Sequence, residues 1–189
     1  MMRIMTRYPV RADVRLDDPA LESLLSGPVV VLMVGPAGGG KSTVARELTA
    51  QRPHLEIVSY DREQADGRIV GAAAVARAHG RLRQCCAGGR GAVVDGTHRQ
   101  PERRAAVQRI AVAHQLPTIA LVVLPSLTRC LEQQLLRSRV VPESDVRAQH
   151  AAVTELLPSL PAEGYELVAV LDPGHAVPAG FPGESGNTV

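Results

Sequence analysis

Residues 35–42 read Gly-Pro-Ala-Gly-Gly-Gly-Lys-Ser and satisfy every fixed position of the phosphate-binding pattern G-x-x-x-x-G-K-[ST]. Each residue type has a chemical use at its position. Gly35, Gly38, Gly39 and Gly40, with Pro36 and Ala37 between them, let the backbone wrap closely around a ligand. Amides at a helix start, together with the helix dipole, make a site for polyphosphate oxygens, and Thr43 continues that row of amides. The Lys41 ammonium is placed to reach β- and γ-phosphates, and the Ser42 hydroxyl is a ligand for Mg²⁺. The expected ligand is a nucleoside triphosphate. Two carboxylates complete the candidate set. Asp61 reads either as a general base taking a proton from an acceptor hydroxyl or as a helix N-cap. Asp95 reads either as the carboxylate that holds a Mg²⁺-bound water or as a cap in the following Gly96 turn. Ser42, Asp61 and Asp95 are thus the oxygens offered to a metal.

These residues need elements to carry them. Val29 to Val34 is an unbroken apolar run, as in a strand buried on both faces of a parallel sheet. The glycine loop follows, and a helix over 42–51 places Val44, Ala45 and Leu48 inward. Leu55–Tyr60 is a second strand ending at Asp61, and Gly91–Val94 a third ending at Asp95. Between them, 67–90 reads as an Ala-rich helix with no acidic residue and with Arg77 and Arg81 on one face. That basic face is either solvated or in contact with an anionic acceptor. A helix from Pro101 buries Val107, Ile110 and Ala111, with His114 at its boundary. Thr118–Leu124 is the fourth strand. Ser126 caps a helix to about Leu136 that carries Leu127, Cys130, Leu131 and Leu135 inward. A helix from Pro142 and a fifth strand, Tyr165–Leu171, complete the pattern. Five strands alternating with helices imply a doubly wound α/β fold: a five-stranded parallel sheet in three layers, with right-handed crossovers and a small lid. In that topology Asp61 and Asp95 fall on the same sheet edge as the glycine loop. Residues 1–28 read as an N-terminal arm, solvated and partly ordered, with a short helix Pro19–Ser26 capped by Asp18. Residues 29–171 are the domain, and the Pro- and Gly-rich stretch 172–189 is a disordered tail.

Composition narrows the chemistry. At 189 residues the chain suits one domain, and 45% hydrophobic with 21% charged residues is ordinary for a globular protein. Aromatic residues make up only 2%, which leaves few rings for stacking bases, and a net charge of +2 does not by itself call for a polyanion. Three cysteines, two of them adjacent, make neither a disulfide framework nor a spaced zinc pattern, so a reducing, cytoplasmic setting is expected, and the longest apolar run is far below membrane-spanning length, so no membrane is expected. The guanine-reading N-K-x-D of a switch GTPase is absent, as is the second domain of a motor ATPase.

The stretches V-V-V-L-M-V-G-P-A-G-G-G-K-S, I-V-S-Y-D, A-V-V-D-G-T-H with P-E-R-R behind it, V-V-L-P-S-L-T-R-C-L, R-S-R-V-V-P and E-G-Y-E-L-V together cover about Val29 to Leu171. Over this range the chain resembles the P-loop polynucleotide 5′-hydroxyl kinases and their bacterial relatives. The resemblance implies an ATP- and Mg²⁺-dependent kinase in which Lys41 and Ser42 hold the donor and Asp61 activates the acceptor hydroxyl. It also implies that lid arginines at Arg137 and Arg139 clasp the ATP phosphates. On the acceptor side the pattern departs. The family's phosphate-holding Arg, three residues after the catalytic Asp, is Gln64 here, with Arg62, Arg77 or Arg81 as candidate substitutes, and a second lid Arg falls at Gln133. A neutral Gln cannot make a charge-assisted phosphate contact. A nucleoside, sugar or antibiotic-like alcohol is therefore the alternative acceptor, and a nucleotide-binding regulator without turnover a second alternative.

Overall fold

A computed structural model describes residues 10–61, 71–136 and 140–171. Its sheet has six strands rather than the five expected, all parallel, in the order β1-β6-β5-β2-β4-β3. The strands are β1 (Val10–Val14), β2 (Val30–Val34), β3 (Leu55–Ser59), β4 (Gly91–Asp95), β5 (Thr118–Val122) and β6 (Leu167–Leu171). The helices are α1 (Pro19–Leu25), α2 (Lys41–Ala50), α3 (Ala72–Ala87), α4 (Pro101–Ala113), α5 (Leu127–Gln134) and α6 (Glu143–Leu156), the last running into a 3₁₀ segment, Leu157–Glu163.

The added strand comes from the segment expected to be a solvated arm. Val-Arg-Ala-Asp-Val pairs with β6 at the sheet edge, where only one side needs a partner and charged side chains can reach water. Val14 is buried, and Asp13 beside it adopts a left-handed φ of 54° where the pairing register shifts. Asp18 caps α1, accepting from the amides of Ala20 and Leu21 at 2.9 and 3.2 Å, as its position before Pro19 leads one to expect.

The central strands β2, β4 and β5 are buried along their whole length, which is why they read as continuous apolar runs. One core lies between the sheet and α1 and α2, around Leu25, Met33, Leu48 and Leu121. A second lies on the opposite face, around Leu32, Leu82, Val107 and Leu160. A third, smaller cluster joins Ala37 of the glycine loop to Cys130 of α5 and Val146 of α6. The tip of the loop is therefore packed against the α5–α6 pair. Leu135 departs from expectation: α5 stops at Gln134, so Leu135 falls out of the helical stripe and is 80% exposed. The expected tail lies outside the described residues. Among the described residues no helix is long and apolar enough to cross a membrane.

Candidate active site

Strand β2 delivers the chain into the glycine loop, and α2 begins at Lys41, so the row of amides from Gly40 onward opens a helix as the phosphate-site reading requires. Gly38 takes a φ of +77°, and a Cβ there would lie 2.2 Å from the Cys130 carbonyl oxygen. No side chain fits between the loop and α5. The Lys41 ammonium donates to the Pro36 carbonyl at 2.7 Å, spanning the loop, and only 8% of the residue is exposed. The Ser42 hydroxyl donates to Asp95 Oδ2 at 2.7 Å. This bond links the first turn of α2 to the carboxyl end of β4 and sets two hard oxygens side by side beneath the loop. That pair fits Mg²⁺, which binds through one or two protein oxygens and keeps the rest for waters and phosphates. Consistent with so sparse a donor set, no group of three or more His, Cys, Asp or Glu able to hold a metal occurs among the described residues.

Asp61 joins this site through topology. In the parallel β3–β4 register Ser59 is opposite Asp95, so Asp61 stands two residues past the strand-end partner of the Ser42-bound carboxylate. Tyr60 and Asp61 are already helical, which places Asp61 in a first turn rather than at an N-cap. Asp61, Lys41, Ser42 and Asp95 line one cleft of about 630 Å³. Of the residues expected in the site, Ala37, Gly38, Gly40, Lys41, Ser42, Thr43, Asp61 and Asp95 line this cleft, whereas Gly35, Pro36 and Gly39 of the same loop do not. Arg137 and Arg139 lie outside the described residues, as do Arg62 and Gln64. Gln133 lines the cleft, and its amide nitrogen is buried with no hydrogen-bond partner among the described residues.

Several residues of the cleft carry no sequence signature. Gln149 of α6 accepts the Ala37 N–H at 2.8 Å, tying the loop tip to that helix. His98, at a left-handed φ of 42°, bonds through Nδ1 to the Met33 carbonyl at 2.8 Å. Burial pushes its imidazole down to about 4, against the pull of that bond and with the positive charge of Lys41 and Arg104 alongside. The ring is therefore neutral at neutral pH, and Nδ1 must carry the proton it donates. Tyr60 packs edge-on against His98, and its hydroxyl meets His79 Nε2 at 3.1 Å. Burial pushes the Tyr60 phenol up to about 12, although Arg103 pulls it down.

The turn from Gly96 to Gln100 is held from below by Arg104, whose Nη1 donates to the carbonyls of His98 and Arg99 at 2.8 and 2.9 Å. Its remaining nitrogens grip Glu163 in a two-point pair at 2.5 and 2.8 Å. The Arg104 side chain is 3% exposed and Glu163 23%. Removing one partner leaves the other charge desolvated. Arg104→Met is therefore expected to lower unfolding stability by roughly 3 kcal/mol, read as a fall in the urea midpoint without a change in slope.

This site and this sheet define a P-loop kinase-like α/β protein. The chain belongs to the AAA domain family, whose model matches residues 30–156. No curated protein sequence matches it. Solved structures share the fold at low identity. A chain of the Pnkp1/Rnl/Hen1 RNA repair complex superposes with a TM-score of 0.59 at 13% identity, covering 71% of this chain and 46% of that one. This protein thus spans less than half the length of that neighbour. A Chloroflexus aurantiacus protein crystallised as a candidate kinase gives 0.55 at 18% identity, covering 76% and 88%. A gluconokinase from Sinorhizobium meliloti gives 0.51 at 17%, covering 79% and 89%.

Proposed function

We propose that the protein is an ATP-dependent phosphotransferase that moves the γ-phosphoryl group to an acceptor hydroxyl, most like a polynucleotide 5′-hydroxyl kinase. The observation that carries this reading is the convergence of Lys41, the Ser42–Asp95 pair and Asp61 on one cleft. On binding, Lys41 exchanges the Pro36 carbonyl for β- and γ-phosphate oxygens, and the loop amides hold the polyphosphate. Ser42 and Asp95 would hold Mg²⁺, which supplies charge neutralisation across the phosphates when bound. The acceptor oxygen forms a bond to the γ-phosphorus as the bond from that phosphorus to the β–γ bridging oxygen breaks. The hydroxyl proton passes to the Asp61 carboxylate, and ADP departs. The lid segment carrying Arg137 and Arg139 is proposed to cover the phosphates.

A small-molecule acceptor is the second reading, favoured by the scarcity of aromatic residues and by a cleft of about 630 Å³, the size of an ordinary small-ligand site. Incubation with γ-labelled ATP, Mg²⁺, a 5′-hydroxyl oligonucleotide and a panel of nucleosides and sugars separates them. Label on the oligonucleotide, lost in Asp61→Ala, supports the polynucleotide kinase. Label confined to a small alcohol moves the acceptor. ATP bound tightly with no transfer to any acceptor would replace the kinase reading with that of a nucleotide-binding regulator.

A further inference from the structure

Arg99 and Arg103 line the cleft from the turn after β4 and the first turn of α4. The Arg103 guanidinium sits 6.0 Å above the Tyr60 ring, and Tyr60 immediately precedes Asp61. An aromatic face orients a guanidinium without neutralising it. Among the described residues no carboxylate lies within ion-pair distance of either arginine, whereas Arg11, Arg15, Arg52, Arg81, Arg90, Arg104 and Arg147 each have one. Of the candidate substitutes for a phosphate contact at Gln64, Arg62 lies outside the described residues and Arg81 is paired with Glu56. Arg81 and Arg90 both grip Glu56 at 2.5 and 2.9 Å, and Arg77 also has an interaction of its own. The Tyr60 platform is itself fixed, by His79 at its hydroxyl and by His98 at its ring. Arg104 and Glu163 fix the turn that presents Arg99. Two guanidinium forks with no carboxylate partner among the described residues, lining the same cleft as Asp61 and Lys41, suit a second anion.

We propose that Arg99 and Arg103 form an anion-binding subsite beside Asp61, which selects an acceptor alcohol bearing a phosphate group. The selection rests on the kinase reading above, but the subsite does not. The phosphate can belong to a strand end or to a small phosphorylated alcohol, because both present the same oxygens to a guanidinium fork.

The test begins with protein saturated with Mg²⁺ and a non-hydrolysable ATP analogue, which fills the glycine loop, titrated calorimetrically with inorganic phosphate. Phosphate is expected to bind, with affinity falling about 10-fold or more in Arg103→Gln and in Arg99→Gln. Binding should be unchanged in Arg147→Gln, whose side chain pairs with Glu143 on α6. Equal phosphate affinity in all variants would overturn the subsite. So would a parallel fall in analogue affinity, which would assign the arginines to the donor. Transfer is then compared within pairs of acceptors that differ by one phosphate: a nucleoside and its 3′-phosphodiester dinucleotide, a sugar and its monophosphate. Transfer confined to the phosphate-bearing members is expected, and the productive pair identifies the source. Equal kcat/KM for the neutral members would overturn the selection. Phosphate binding as expected with no transfer to any alcohol would end the kinase reading and leave the anion subsite standing.

Discussion

Lys41→Ala is expected to reduce phosphoryl transfer at saturating ATP by about 10³-fold, with a folded protein and an intact sheet. The ammonium reaches across the loop to the Pro36 carbonyl at 2.7 Å, within the loop proposed to hold the transferred phosphate. Removing one such electrostatic stabiliser costs two to three orders of magnitude in a water-poor site. Lys41→Arg is expected to fail nearly as badly although the charge is kept. A Cβ built on Gly35 would lie 3.4 Å from Lys41 Cδ and 2.2 Å from the Val123 carbonyl, so the wall beside the lysine stem has no room for a planar fork. Initial rates with γ-labelled ATP, alongside a thermal melt of each variant, make the check. A folded Lys41→Ala protein that retains rates within threefold of the parent would show that the loop does not bind the transferred phosphate.

The loop and its two carboxylates were legible because their information is local. Four glycines, a lysine and a serine at fixed spacing behind an apolar run specify a strand, a cradle and a helix within fifteen residues. Parallel topology does the rest: once β3 and β4 are adjacent and run the same way, their terminal carboxylates must emerge on one edge. Residues whose role depends on distant partners were not legible. In Arg103-Arg104 nothing nearby says which arginine is buried. Glu163, about sixty positions away, draws Arg104 inward, and Tyr60 leaves Arg103 facing the cleft. Gln134 is 3% exposed and accepts from the Val141 amide, and Gln149 caps the Ala37 amide, yet neither glutamine has a helical-stripe or motif signature. Strand β1 escaped for a related reason. An edge strand with Arg11 and Asp13 looks like a solvated segment until β6 is there to pair with it.

Asp61 is the residue on which the reaction class turns, and its variants separate chemistry from binding. Asp61→Ala and Asp61→Asn are both expected to lower kcat by about 10²- to 10⁴-fold, the span associated with a positioned general base. ATP-analogue affinity is expected to change by no more than about twofold, because the proposed polyphosphate contacts come from the glycine loop and Lys41 and not from Asp61. The amide keeps the shape of the carboxylate while removing its capacity to take a proton, so equal loss in the two variants isolates the proton as what matters. Asp95→Asn should behave differently. Its carboxylate is bonded to the Ser42 hydroxyl at 2.7 Å beneath the loop, so neutralising it should raise the Mg²⁺ concentration needed for half-maximal rate. If Asp61→Asn instead shifts the Mg²⁺ requirement and analogue affinity together, Asp61 belongs with Ser42 and Asp95 as a metal oxygen. In that case the acceptor proton leaves by another route. If neither variant slows transfer, the exposed carboxylate two residues past β3 plays no part in the reaction.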